Sequence, residues 1–307
     1  MVRMSVTEAA AAADRLTNAR VRHAYTRSLP RLHYVEAGPP DGKPVLLLHG
    51  FPDFWYGWRH QIGPLAAAGY HVIAADQRGY NLSDKPEAIF EYRLDLIADD
   101  ALRLADEVAP GKSVTVIGHD FGAGVAWWLA LNRPERVDRI AVLNVPHLAV
   151  FQRALRRSPA QWLRSWYILF FQLPWLPEWG MRVSAFRSLV KALRRSSLPG
   201  AFPDSDLERY RQAWAQPGAL SGMLNWYRAL MRSPAPMKRS PRVRIPTLIL
   251  WGVHDVALGR EMAPASLSLC DHGRLVEFED ATHWVHMEEP AKVNEELLAF
   301  LAMAAAA

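Results

Sequence analysis

Short, continuous apolar runs punctuate the first half of the chain, and between them lie stretches whose apolar positions return every three or four residues. Residues 44–49, 70–76, 113–117 and 136–145 are rich in Val, Ile, Leu and Ala and are bounded by glycine, proline or polar side chains. Runs of that length and continuity predict strands buried on both faces, as in a parallel sheet. Residues 58–68, 94–108 and 123–132 carry helical spacing instead. The alternation returns late, with strands predicted over 245–251 and 274–279, each followed by a helical pattern. Strands alternating with helices predict an α/β fold, a mostly parallel sheet flanked by helices.

Residues 147–237 break this rhythm. The segment reads as helical, holds thirteen Arg and Lys against four acids, and contains six of the twelve tryptophans. Pro146 lies at one end and Pro234, Pro236 and Pro241 at the other, which punctuates the segment as an inserted helical cap. The core is therefore expected in two parts, residues 1–146 and 238–307. Most cap aromatics are expected to pack helix on helix, and the remainder to close an apolar pocket over the carboxyl ends of the strands, where ligands bind in open α/β sheets.

A chain of 307 residues with half its residues hydrophobic can bury a large core. The net charge of +5 comes with no nucleic-acid-binding motif, so a nucleic-acid partner is not expected. The lone Cys270 has no intramolecular partner for a disulfide and no Cys or His at metal-ligand spacing, which points to a reducing cytoplasm. The alanine run at 9–13 is followed by Asp14 and Arg15 and lacks a signal-peptide pattern. The most apolar stretch, 166–176, is far short of the ~20 residues that span a bilayer, so no integral membrane contact is expected. The alanine-rich ends are expected to fray.

The chemistry is concentrated at Gly118-His119-Asp120-Phe121-Gly122. A buried strand, a glycine-flanked turn and a helix form the nucleophile elbow of G-x-S-x-G hydrolases, with Asp120 in place of the serine. A carboxylate attacking an ester would give an anhydride. Attack on an electrophilic sp3 carbon gives an ester that water can cleave, so Asp120 points to alkyl transfer. Release of that ester needs a base and a group to orient it. His283, on a loop after the last strand, and Asp255, beyond the preceding one, complete the order nucleophile, acid, histidine. Asn144 is an alternative site for the acid, and His286 is the nearest rival to His283. His49-Gly50-Phe51-Pro52 ends an apolar strand, so the amides of Phe51 and Phe121 are candidates for an oxyanion hole. His49, Pro52, Trp55 and Trp284 are candidate substrate contacts.

Together, His49-Gly50-Phe51-Pro52-Asp53-Phe54-Trp55, Asp76-Gln77-Arg78-Gly79-Tyr80 with Ser83-Asp84-Lys85-Pro86, the elbow, and Gly252 to Asp255 with His283 make the chain resemble the epoxide hydrolases of the α/β-hydrolase fold over nearly its whole length. The resemblance implies two cap tyrosines that hold the epoxide oxygen. Tyr167, within Trp166-Tyr167-Ile168, and Tyr227, within Trp226-Tyr227-Arg228, stand in matching segments, whereas Tyr210 lies in a polar helix. It also implies a small apolar epoxide as substrate, a vicinal diol as product, and neither metal nor organic cofactor. A homodimer is compatible with this reading.

Two rival readings share the elbow. A haloalkane or haloacetate dehalogenase needs N–H donors around the departing halide. Phe121 follows the nucleophile where haloalkane dehalogenases commonly place tryptophan, and Tyr167-Ile168 stands where fluoroacetate dehalogenases have a His-Trp pair. A non-catalytic binding protein of the same fold would have a broken catalytic set, and none is evident here.

Overall fold

The apolar runs become neighbours in one eight-stranded sheet. In the computed structural model, residues 20–236 and 240–303 are described. The strands are β1 (Arg22–Tyr25), β2 (His33–Ala37), β3 (Pro44–Leu48), β4 (His71–Ala75), β5 (Val114–His119), β6 (Val137–Leu143), β7 (Thr247–Gly252) and β8 (Gly273–Phe278). Their order across the sheet is β1-β2-β4-β3-β5-β6-β7-β8. The pairs β1/β2 and β2/β4 are antiparallel, and every other pair is parallel. β3, β4, β5 and β7 are buried along their whole length, which is why they read as unbroken apolar runs.

On the chain, α1 (Arg59–Ala67) precedes β4, α2 (Leu94–Val108) precedes β5, and α3 (Phe121–Asn132) follows it. Residues 122–132 of α3 are all buried, so the helix is apolar on every side and packs on β5, β6, β3 and α2. Between β6 and β7 come α4 (Leu148–Arg157), α5 (Pro159–Arg164), α6 (Trp166–Phe170), α7 (Leu176–Val183), α8 (Arg187–Arg195), α9 (Asp204–Trp214) and α10 (Ala219–Arg232). No strand occurs among the described residues of this stretch. The expected junction at 237 and 238 lies outside the described residues, as do the alanine-rich ends. After β7 come α11 (Met262–Leu267), α12 (Val285–Glu288) and α13 (Pro290–Ala302). No helix among the described residues is long and apolar enough to cross a membrane.

The first two strands have no counterpart in the sequence reading. β1 and β2 mix His33, Glu36 and Arg22 with apolar residues, and the polar groups of His33 and Glu36 are partnered in part by distant segments of the chain. The Glu36 carboxylate faces His71 Nε2 at 2.9 Å and also pairs with Arg22. His33 Nδ1 lies 2.6 Å from Asp76 Oδ2. Just beyond β4, Asp76 is fully buried and also accepts from Asn81 Nδ2 at 2.8 Å and the Trp55 amide at 3.0 Å. Burial opposes its charge, but the adjoining histidines and these donors hold its carboxyl below the usual range. Removing one partner from a buried network leaves the others desolvated and unmatched. Asp76→Ala should therefore lower unfolding stability by about 3–5 kcal/mol, measured by denaturant titration; a loss below about 1 kcal/mol would show that Asp76 does not organise this corner.

Candidate active site

β5 delivers Asp120 to the carboxyl edge of the sheet with a backbone of φ 50° and ψ −122°, a conformation rarely tolerated by a side chain. The surroundings enforce it. Gly122 sits so close to β3 that a Cβ there would lie 2.0 Å from the Leu48 carbonyl oxygen, and a Cβ on Gly50 would lie 2.2 Å from Asp120 Cβ. Neither position can carry a side chain without moving the sheet or the nucleophile. The Phe51 amide donates to Asp120 Oδ1 at 2.8 Å. Phe121 begins α3, where an amide has no intrahelical acceptor. Of the two predicted oxyanion donors, the Phe51 amide contacts the carboxylate, and the Phe121 amide follows Asp120 directly in the chain.

His283 Nε2 is 3.6 Å from Asp120 Oδ2, within reach of charge attraction but longer than a hydrogen bond. Its other nitrogen, Nδ1, lies 2.7 Å from Asp255 Oδ2. Asp255 is anchored in turn by Asn144 Nδ2 at 2.9 Å and by the amides of Ala257 at 2.7 Å and Leu258 at 3.0 Å. Asn144, the alternative acid site, is therefore a donor to Asp255. His286, the rival histidine, is buried against Trp58, His119 and Trp284, with neither ring nitrogen hydrogen-bonded among the described residues.

Two helical segments from between β6 and β7 bring a pair of tyrosines together. Tyr167 on α6 and Tyr227 on α10 meet edge to face, their ring centroids 5.8 Å apart. Tyr227 also packs on Phe51, Phe121 and Phe171 at 5.2, 4.7 and 5.0 Å. Neither phenol oxygen has a hydrogen-bond partner among the described residues. The α10 segment is fixed from below, where Trp226 Nε1 donates to the Arg78 carbonyl at 2.9 Å. It is fixed to α6 by Arg228, a buried side chain that pairs with Glu178 at 2.7 Å and donates to the carbonyls of Phe171 at 3.0 Å and Leu173 at 2.8 Å.

The α/β-hydrolase fold family matches residues 43–290. The chain is 46% identical over 270 residues to the AB hydrolase superfamily protein YfhM of Bacillus subtilis, covering 88% of this chain and 94% of that one. It is 40% identical to epoxide hydrolase 4 of Homo sapiens over 91% of this chain and 78% of the relative. A crystal structure of Bacillus megaterium epoxide hydrolase in complex with an inhibitor superposes with a TM-score of 0.82 at 30% identity, covering 91% of this chain and 100% of that chain. The chain belongs to the epoxide hydrolases of the α/β-hydrolase fold.

In this epoxide hydrolase the four candidate substrate contacts are each engaged by neighbouring parts of the fold. His49 is buried; its Nδ1 faces the Gly50 carbonyl at 3.0 Å and its Nε2 accepts from the Gln77 amide at 3.1 Å, so the ring braces the loop. The Pro52 carbonyl accepts from Trp214 Nε1 at 2.6 Å, tying the loop to α9. Trp55 packs on His23, Phe54 and Tyr56. Trp284 backs His283 and donates to Ser196 Oγ at 2.9 Å. Phe171 joins the aromatic wall instead. It lies four residues after Tyr167, but nothing in its spacing marked it out.

The electrostatics of the epoxide hydrolase site follow from burial and pairing. Burial opposes charge on His283, yet Asp255 and Asp120 together push its pKa up to about 10. Both carboxyls are held below their usual range despite burial, chiefly by His283. Burial, with the Asp120 charge adding to it, raises Tyr167 well above the usual phenol range, and Tyr227 is raised likewise, so both are protonated donors at neutral pH.

A folded-state pKa raised above the unfolded value stabilises most below the unfolded pKa of about 6.5. The contribution of His283 is therefore complete in mild acid and lost as pH rises toward about 10. The unfolding midpoint of the unaltered protein should fall between about pH 7 and pH 10 more steeply than that of His283→Gln; parallel profiles would show that the imidazole carries no such charge.

Proposed function

We propose that the enzyme opens a small apolar epoxide and hydrolyses it to a vicinal diol through an ester on Asp120. The observation that carries this reading is the pair of phenols, Tyr167 and Tyr227, whose rings meet edge to face and of which Tyr227 packs on Phe51 and Phe121, the residues beside a carboxylate whose one oxygen is engaged by the Phe51 amide. Asp120 Oδ1 is the engaged oxygen, so Oδ2 is the attacking one. A bond forms between Oδ2 and an epoxide carbon from the face opposite the ring oxygen. The ring C–O bond breaks, and the oxygen takes a proton from one tyrosine while the other donates a hydrogen bond.

Forming the ester removes the negative charge of Asp120. His283 then loses one of the two carboxylates that raise its pKa, so its neutral form becomes accessible when a base is needed. It deprotonates a water that attacks Asp120 Cγ, while Asp255 stabilises the imidazolium. The oxyanion develops on Oδ1, toward the amides of Phe51 and Phe121. The acyl C–O bond then breaks, the departing alkoxide of the diol takes the proton held by His283, the proton of the new carboxyl returns to the tyrosinate left by ring opening, and Asp120 is restored as a carboxylate.

Phe51, Phe121, Phe171 and Tyr227 form an apolar aromatic wall suited to a hydrophobic epoxide. A dehalogenase would require free N–H groups at this wall. The indoles packed on Phe121 and His283 are those of Trp226 and Trp284, and both N–H groups are already given to Arg78 and Ser196. Helices α4 to α10 act as the cap. A single, buried cysteine fits a reducing cytoplasm.

Under single turnover in 18O-labelled water, the label should appear in the Asp120 carboxylate and be absent from the first diol formed; label in that diol would refute the ester. His283→Gln should stop after ring opening, so intact-protein mass should rise by one substrate mass. Tyr167→Phe with Tyr227→Phe should lower kcat/KM by about 10²–10⁴-fold with an unchanged unfolding midpoint, and undiminished turnover would remove both tyrosines from the mechanism.

A further inference from the structure

We infer that the outer face of the cap docks on an anionic lipid bilayer. The exposed apolar side chains of the molecule are not scattered. Of the sixteen large hydrophobic residues that are exposed among those described, ten lie between residues 162 and 183, on and between α5, α6 and α7. Four are involved in the way that marks an interfacial surface: Trp162 is 46% exposed, Trp166 63%, Trp175 72% and Trp179 59%. Indoles are amphipathic rings that favour the headgroup level of a bilayer, and a concentration of exposed apolar side chains indicates a partner.

The charge around them selects that partner. Residues 147–201 contain nine Arg and Lys, all exposed, and a single acid, Glu178. Glu178 is buried against Arg228 and offers nothing to the surface. Of the nine cations only Arg194 has an ion-pair partner among the described residues, the exposed Asp204. The remainder have no ion-pair partner among the described residues; Arg164 and Arg182 share helices with Trp162 and Trp179, and α4 and α8 each end in two adjacent arginines, Arg156 with Arg157 and Arg194 with Arg195. A second copy docking by the same face would oppose like charges across a two-fold axis. A surface that accepts tryptophan and leucine and carries diffuse negative charge satisfies both halves of the patch.

The face is also continuous with the catalytic cap. Tyr167 faces Tyr227 from α6, while Trp166, Leu169 and Phe170 of the same five-residue helix are exposed. The docking does not rest on the reaction proposed above, and it is read without substrate.

The test is sedimentation of the full chain with vesicles of phosphatidylcholine alone and with about one third phosphatidylglycerol. Partition onto the anionic vesicles should be at least ~10-fold greater at low ionic strength and should collapse at high salt. Brominated acyl chains should quench tryptophan emission in the bound state. Trp162→Ser with Trp175→Ser and Trp179→Ser should abolish the quenching, and Arg156→Glu with Arg157→Glu, at the exposed end of α4, should weaken partition in a protein whose epoxide turnover in free solution is unchanged. Equal and negligible sedimentation of the unaltered protein with both vesicles would overturn the inference. So would heparin binding as strong as vesicle binding without quenching, which would indicate an acidic macromolecule, or a dimer in light scattering that the tryptophan substitutions dissolve.

Discussion

The backbone of Asp120 is the constraint on which the rest of the site depends. A side chain at φ 50° and ψ −122° is held only where the surroundings leave no alternative, at a cost of about 1–3 kcal/mol. Here the constraint comes from the centre of the sheet. β5 lies in register between β3 and β6, α3 is buried on every side, and Gly122 rests on the Leu48 carbonyl. Any relaxation of the turn would have to move a strand whose residues are all buried. The same close packing places the Phe51 amide at Asp120 Oδ1, so the positions of nucleophile and oxyanion donor are set by one event.

The buried charges impose an order on the chemistry. Two carboxylates and one imidazole lie in a site largely withdrawn from water, where each charge is tolerated because of the others. Asp255 is the fixed member, with an imidazole, an amide side chain and two backbone N–H groups around its carboxylate. Asp120 is the member whose charge is consumed by the proposed reaction. Such an arrangement favours an imidazolium before ring opening and makes a neutral imidazole attainable afterwards. In the proposed reaction the basicity of His283 is thus set by the state of Asp120.

What the sequence disclosed was local in origin. The central strands were legible because burial on both faces makes them apolar without interruption, and the elbow because Gly118 and Gly122 bracket Asp120 in the sequence, even though what excludes a side chain at Gly122 is the Leu48 carbonyl. The nucleophile, histidine and acid could be ordered along the chain because each follows a recognisable strand. β1 and β2 were missed because His33 and Glu36 are satisfied by Asp76 and His71, partners that no local pattern announces. Trp55 and Trp284 had the composition of pocket residues, but their surroundings are set by His23 in one case and Ser196 in the other. Phe171 and Arg228 escaped notice for the converse reason: ordinary residues in helical sequence, given their roles by tertiary contact.

Arg228 shows how the cap can be both precise and lightly built. Helix α6 spans five residues, Trp166–Phe170, too short to be stable alone, so the position of Tyr167 cannot come from helix propensity. It comes from the other end of the segment. The guanidinium of Arg228 gathers the carbonyls of Phe171 and Leu173 and the carboxylate of Glu178, and Gln172 Nε2 donates to the Tyr227 carbonyl at 3.0 Å. One turn of α10 therefore holds Tyr227 directly and Tyr167 through its neighbours. Buried ion pairs are poor sources of net stability but good at fixing register, and this one fixes the spacing of the two phenols. With that spacing set from within, the outward residues of α6 and α7 are left free of any structural duty inside the cap.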